Sequence, residues 1–229
     1  MKHLLTLCIL MIALPALAGT FRDDFDDGNI DGWDIQTQGG QIEVVDGEVV
    51  IIDADPGLAS LMFFNDSQYV RDFELSVDGL FVRKLSNKTW DYMVVMSRAG
   101  DLGSAWVSFQ AEGNIPLVIL TAPPALDAFG RRDVPFPLEF GKWYHIQLEV
   151  RGSVLSLTVD DEFVSEIDWS AQPMLSKEGA VAIGAGGAEV HFDNFSITGS
   201  GIPDTVPSGS AVDSIDKLTT TWGQMRGME

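Results

Sequence analysis

Between Gly141 and Asp168 the chain reads GKWYHIQLEVRGSVLSLTVDDEFVSEID, and this stretch restricts the fold more than any other. Tyr144, Ile146, Leu148 and Val150 alternate with His145, Gln147, Glu149 and Arg151. A two-residue period of this kind predicts a strand with one face buried. Arg151-Gly152-Ser153 then turns the chain, glycine tolerating the positive φ that tight turns require. Leu155, Leu157 and Val159 resume the alternation against Ser156, Thr158 and Asp160. Asp160-Asp161 makes a second turn, and Glu162 to Ile167 a third short strand. The stretch is an antiparallel meander with one wet face.

The rest of the chain follows the same pattern. Strands are expected at Thr20–Phe25, Trp33–Gln36, Gln41–Val45 and Glu48–Asp53, with the hairpin signal Asp46-Gly47 between the last two. Leu61–Phe64, Phe73–Arg83, Ala105–Gln110 and Pro116–Thr121 come next, then Gly179–Gly184 and Glu189–Thr198. Tyr92–Ser97 is apolar on both faces, as a central strand would be. Ala122 to Glu139 carries four prolines and reads as the longest loop. No segment before Gly201 has a helical period, so an all-β sandwich is expected. Residues 199–211 form a Gly/Ser/Pro linker. Beyond it Val212, Ile215, Leu218, Trp222 and Met225 fall at helical spacing. They predict a short amphipathic helix over 212–229 that must dock on its own sandwich or on a partner.

Residues 1–18 read as a secretory signal. Lys2 and His3 precede the apolar run Leu4–Leu14, and Ala16-Leu17-Ala18 supplies the small-x-small cleavage site. The run is too short to span a bilayer, and no second apolar segment follows, so no transmembrane segment is expected. A secreted location, extracellular or periplasmic, follows. Cys8, the single cysteine, lies inside the leader, which removes disulfides and thiolate chemistry from the mature chain. The chain has 34 acidic and 14 basic residues, a formal net charge of −20, and loss of Lys2 makes it one unit more negative. That balance excludes nucleic acid and anionic membranes as partners.

Several segments carry a family resemblance. GKWYHIQLEVRGSVLSLTVDDEFV resembles the meander of laminin-G-like (concanavalin A-like) jelly-roll domains. FRDDFDDGNIDGWDI resembles their acidic-aromatic opening, RDFELSVDGLF their D-F-E-L strand, and FDNFSI their closing strand. The resemblance implies an antiparallel two-sheet jelly-roll sandwich over residues 19–198. In the closing strand, apolar residues are even-numbered through Phe192 and odd-numbered from Phe195. A phase flip at Asp193-Asn194 is what a β-bulge produces. In similar folds an aspartate here joins the N-terminal strand around a structural Ca²⁺, which implies Asp193 and Asp24 as metal ligands. The alternative is that both side chains cap backbone N–H groups. The second acidic cluster, Asp26 to Gly32, lacks the register of an EF-hand loop and reads as a solvated turn.

Glu166-Ile167-Asp168 resembles the opening of the E-x-D-x-x-E signature of laminarinase-type hydrolases, but Ala171 stands where the closing carboxylate belongs. A more distant resemblance to keto-disaccharide hydrolases rests on DFEL and GKWYHIQLEVRG, with FDNF replacing that branch's ending. Aromatic residues suited to sugar stacking are Trp90, Tyr92, Trp106, Phe109 and Phe129, with Arg131 and Arg132 beside the last. Trp106 and Phe109 lie on opposite faces of one strand, so at least one is core. Trp90, Phe129, Arg131 and Arg132 are therefore the expected ligand-binding residues. His145 and His191 sit on strands without zinc or triad spacing. The expected function is a secreted, non-catalytic binding or adhesion module for extracellular carbohydrate or protein. The alternatives are a glycoside hydrolase, which needs two of Glu74, Glu112, Glu139 and Glu149 paired about 5 Å apart, and an assembly protein acting through its C-terminal helix.

Overall fold

The computed structural model describes residues 18–57, 59–65, 70–86, 91–100, 103–112, 115–121, 132–170 and 178–203. They form fifteen strands in two antiparallel sheets, a concanavalin A-like jelly-roll sandwich. The eight-stranded sheet holds β1 (Ala18–Asp23), β3 (Gln41–Val45), β4 (Glu48–Asp53), β6 (Phe73–Lys84), β11 (Trp143–Arg151), β12 (Val154–Val159), β13 (Glu162–Asp168) and β15 (Ala188–Ser200). The seven-stranded sheet holds β2 (Trp33–Gln36), β5 (Ser60–Phe64), β7 (Tyr92–Gly100), β8 (Gly103–Glu112), β9 (Ile115–Thr121), β10 (Arg132–Pro135) and β14 (Ala180–Gly186). The expected helix over 212–229, most of the linker and nearly all of the leader lie outside the described residues. Among those described, no helix is long and apolar enough to cross a membrane.

The first sheet runs β13-β12-β11-β6-β15-β4-β3. Its long closing strand is shared: β4 pairs with Ala188–Phe192, and β1 pairs with the same edge from Phe195 to Ser200. Between them the register against β6 shifts after Asp193, and Asn194 has φ 52°. The bulge read from the phase flip is therefore present, and it lets one strand serve two short neighbours. The second sheet runs β10-β9-β8-β7-β14-β5-β2. β7 lies inside it, and residues 91–98 are all buried, as a strand apolar on both faces requires.

Turn chemistry sets the hairpins. Asp46-Gly47 has φ 54° and 83°, and Asp160-Asp161 has φ 51° and 65°, the left-handed pairs that match strand twist in two-residue hairpins. The core fills the space between the sheets, with Phe73, Leu75, Val77 and Phe81 of β6 facing Met93, Val95, Val107 and Phe109 of the other sheet. One element departs from the sequence reading. Within the expected loop Ala122–Glu139, Arg132–Pro135 forms β10. Among the described residues it pairs only with β9, and an edge strand accepts a proline that an inner strand would not.

Candidate functional site

The meander and its neighbours turn their polar residues away from the core, onto the outer face of the eight-stranded sheet. Cross-strand pairing arranges them in two rows. One runs Thr198 on β15, Glu74 on β6, Glu149 on β11, Ser156 on β12 and Glu166 on β13. The other runs Ser196, Ser76, Gln147, Thr158 and Phe163 over the same five strands. All but Glu166 and Phe163 line a trough of about 340 Å³. Small hydroxyl residues make its floor low, and the longer Glu74, Glu149 and Gln147 rise beside them.

Phe163 closes the second row and is 65% exposed, the largest value among the exposed large apolar side chains of the described residues. Its position comes from a bulge. The register between β12 and β13 shifts after Leu157, so Val164 is extra and packs toward the core, while Phe163 pairs with Thr158 on the outer face. Read by simple alternation, Phe163 falls in phase with buried Ile167. The sequence gives no local sign of the bulge, which is why this ring was not expected at the site. Trp143, 37% exposed, opens β11 on the same face.

Charges around the trough are paired. Arg151 reaches Glu74 and, through Nε, Glu149 at 3.1 Å. Glu74 and Glu149 are direct cross-strand neighbours, so two of the four glutamates named above do meet. Both are open to water, with 65% and 55% of the side chain exposed. One row further on, His145 Nδ1 lies 2.6 Å from Asp78 Oδ1, and Asn194 Nδ2 donates to Asp78 Oδ2 at 2.8 Å. His191 lies 2.8 Å from Glu48. The histidines therefore belong to carboxylate pairs on this sheet.

The acidic bulge is built for local hydrogen bonding. Asp193 accepts from the Asn194 backbone N–H at 2.6 Å and from its side chain at 3.1 Å. Asp24 accepts from Asp26 N at 3.3 Å. Among the described residues, no group of three or more His, Cys, Asp or Glu could hold a metal ion. The buried carboxylate of the N-terminal strand is Asp23, 2% exposed, one residue before the one singled out from sequence. It accepts from Trp33 Nε1 at 2.8 Å and Phe25 N at 2.9 Å, inside a ring cluster of Phe21, Phe25, Trp33, Phe64 and Phe195. Burial pushes its pKa up to about 6, against those two hydrogen bonds. Continuing the alternation from Phe21 through Asp23 to Phe25 would have placed it inward.

Glu166 and Asp168 stand on the outer face of β13. Asp168 accepts from Ser170 N and Ser153 Oγ at 2.8 Å each, which locks the adjoining turn and, chiefly through the Ser170 N–H, holds its carboxyl below the usual range. Of the expected ligand-binding residues, Trp90, Phe129 and Arg131 lie outside the described residues. Arg132 opens β10 opposite Leu120, at the edge of the other sheet. In the middle of that sheet's outer face, Tyr92, Val94, Met96 and Ala182 pack with Leu61, Phe63 and half-buried Trp106. The Tyr92 and Trp106 rings are 6.4 Å apart, and burial, with Asp53 and Asp55 nearby, raises the Tyr92 hydroxyl to about 12.

No family model matches the chain, and no curated protein matches it. Solved structures match the fold. The carbohydrate-binding module CBM66 from Bacillus subtilis is 18% identical with TM-score 0.56, over 73% of this chain and 95% of that one. A winged bean acidic lectin complexed with methyl-α-D-galactose is 11% identical with TM-score 0.61, over 80% and 99%. The Crh5 transglycosylase is 11% identical with TM-score 0.59, over 80% and 84%. At these identities the likeness is one of fold.

Proposed function

We propose that this protein is an exported, non-catalytic carbohydrate-binding module whose binding site is the trough on the outer face of the eight-stranded sheet. The observation that carries the reading is the trough itself: hydroxyls, an amide and carboxylates in two rows, with the exposed Phe163 ring at one end. Sugars offer many hydroxyl donors and acceptors on their rims and weakly polar C–H faces. Ser, Thr, Gln and Glu side chains match the first, and an exposed ring matches the second. Two solved structures of the same fold are, by name, a carbohydrate-binding module and a lectin complexed with a galactoside, which supports a sugar ligand.

The Glu74–Glu149 pairing favours a second reading, a glycoside hydrolase, because retaining enzymes set two carboxyl groups about 5 Å apart. Against it stand the exposure of both carboxylates and the guanidinium bound to both. A general acid needs a desolvated carboxyl that keeps its proton near neutrality. Binding of a linear glycan to the full mature chain, with no new reducing ends on prolonged incubation, is the expected result. Reducing ends that disappear with Glu149→Gln would instead establish the hydrolase.

Calcium at Asp24 and Asp193 is a separate proposal, supported by the FDNFSI resemblance and by the bulge after Asp193 on the strand that pairs with β1. An ion at about 100 times its Kd would add about 2.7 kcal/mol of stability. Asp193→Ala should then lower the melting temperature only when calcium is present, and an equal loss in chelator would leave capping as its whole role.

A further inference from the structure

The two rows of the trough run across the strands rather than along them, and this fixes a length scale. Each step moves to the next strand, roughly 4.8 Å away, so the span from β15 to β13 is about 19 Å. A pyranose in an extended chain advances about 5 Å per unit, close to that strand spacing. A glycan laid across the strands therefore meets one polar pair per sugar: Thr198 with Ser196, Glu74 with Ser76, Glu149 with Gln147, then Ser156 with Thr158. The last position brings it over Phe163. At the other end Thr20 and Arg22 of β1 continue both rows, so among the described residues the rows run on past the trough there.

The electrostatics select among glycans. Glu74 and Glu149 share the Arg151 guanidinium, Glu166 lies further along the same row with Arg22 at the opposite, β1 end, and the whole chain carries −20. Carboxylates accept hydrogen bonds and donate none, so the trough suits donors and repels further anions.

Resting on the carbohydrate reading above, we propose that the trough takes an internal run of about four units of a linear, uncharged glycan, laid perpendicular to the strands. The test is calorimetric titration of the mature full-length chain with two length series. One is a panel of linear neutral oligosaccharides of one to six units, built from glucose, galactose, mannose, xylose or N-acetylglucosamine. The other is oligogalacturonides of the same lengths. The expected result is an affinity that climbs with each unit to about four and then levels, with oligogalacturonides at least tenfold weaker at equal length. Phe163→Ala, a change at an exposed ring, should weaken the longest neutral ligand roughly tenfold and move the plateau one unit shorter.

A monosaccharide that binds as tightly as a tetramer overturns the extended trough, and equal binding of oligogalacturonides overturns the charge selection. Length-dependent binding that Phe163→Ala leaves untouched moves the ligand elsewhere on the protein. Absence of binding to both series removes the carbohydrate reading together with this inference, which separates that failure from the others.

Discussion

The two outer faces of the sandwich differ in what covers the backbone. On the eight-stranded sheet, polar side chains stand up from the strands and leave a trough between their rows. On the seven-stranded sheet, large apolar side chains lie down. Gly184 and Gly186 have no Cβ, and the places where one would sit are filled by Leu61 Cδ2 at 2.5 Å and by the Tyr92 ring at 2.7 Å. Flattened in this way, Leu61 and Tyr92 help bury Val94 to 0% and leave Tyr92 itself 7% exposed. The comparison separates two uses of the same strand geometry. Residues that stand alternately tall and short make a surface that water or a ligand can enter, whereas rings laid over glycines make a surface that stabilises.

The largest effect expected from this contrast is at Gly184. A valine there would meet Ser60 O and Leu61 Cδ2, each at 2.5 Å, and the carbonyl belongs to the paired strand β5. Overpacking against backbone should cost about 3 kcal/mol, read as a lower denaturation midpoint in urea. A midpoint unchanged by Gly184→Val would mean that the apolar face is loosely packed after all.

The next pair of changes could reverse the roles of the two faces. Trp106→Ala on the seven-stranded sheet should cost about 2 kcal/mol of stability while leaving glycan affinity intact. Phe163→Ala should do the opposite, with stability held within roughly 0.5 kcal/mol. Should Trp106→Ala abolish binding at unchanged stability, the apolar face would be the ligand's, and the polar trough an ordinary solvated surface.

Asp23 asks how a polar group fares on the buried side. Its folded-state pKa of about 6 lies above the ordinary 3.8, so the folded protein holds the proton more tightly than the unfolded chain does. Its contribution is therefore fully present below pH 3.8 and is lost as pH rises through 6. Stability should fall as pH rises across that window, by about 3 kcal/mol in all. Asp23→Asn, whose amide oxygen can still accept from Trp33 Nε1, should flatten that fall. Trp33 emission followed across the same range in both proteins checks the assignment.

Much of this was legible in the chain. Strands β2, β3 and β4 begin and end where alternation and the Asp-Gly turn place them, and the Asp193-Asn194 bulge shows in the phase of the closing strand. Period-two patterns and turn residues are local, and local signals survive in a sequence. What was missed depends on pairing. Phe163 faces outward only because β13 carries an extra residue relative to β12. Glu74 meets Glu149 only through the register of β6 against β11, and no spacing along one strand encodes that neighbour. β10 was hidden because its proline reads as loop until its edge position is known.

The smallest effect concerns Arg151, and it sharpens the comparison most finely. Its guanidinium joins Glu74 and Glu149 across the open face, with 48% of its own side chain exposed. Exposed pairs of this kind contribute between nothing and about 1 kcal/mol, because water screens the attraction and long side chains must be immobilised. Arg151→Met should therefore change the urea midpoint hardly at all, and salt should erase what change there is. Binding should respond differently. With the shared cation gone, two directly opposed carboxylates repel each other within the trough, and its preference against acidic oligosaccharides should grow. A stability loss of several kcal/mol would instead show that this ion pair is structural. The open face would then depend on its charges as the apolar face depends on its glycines, and the distinction between a surface for binding and a surface for stability would fail at the trough itself.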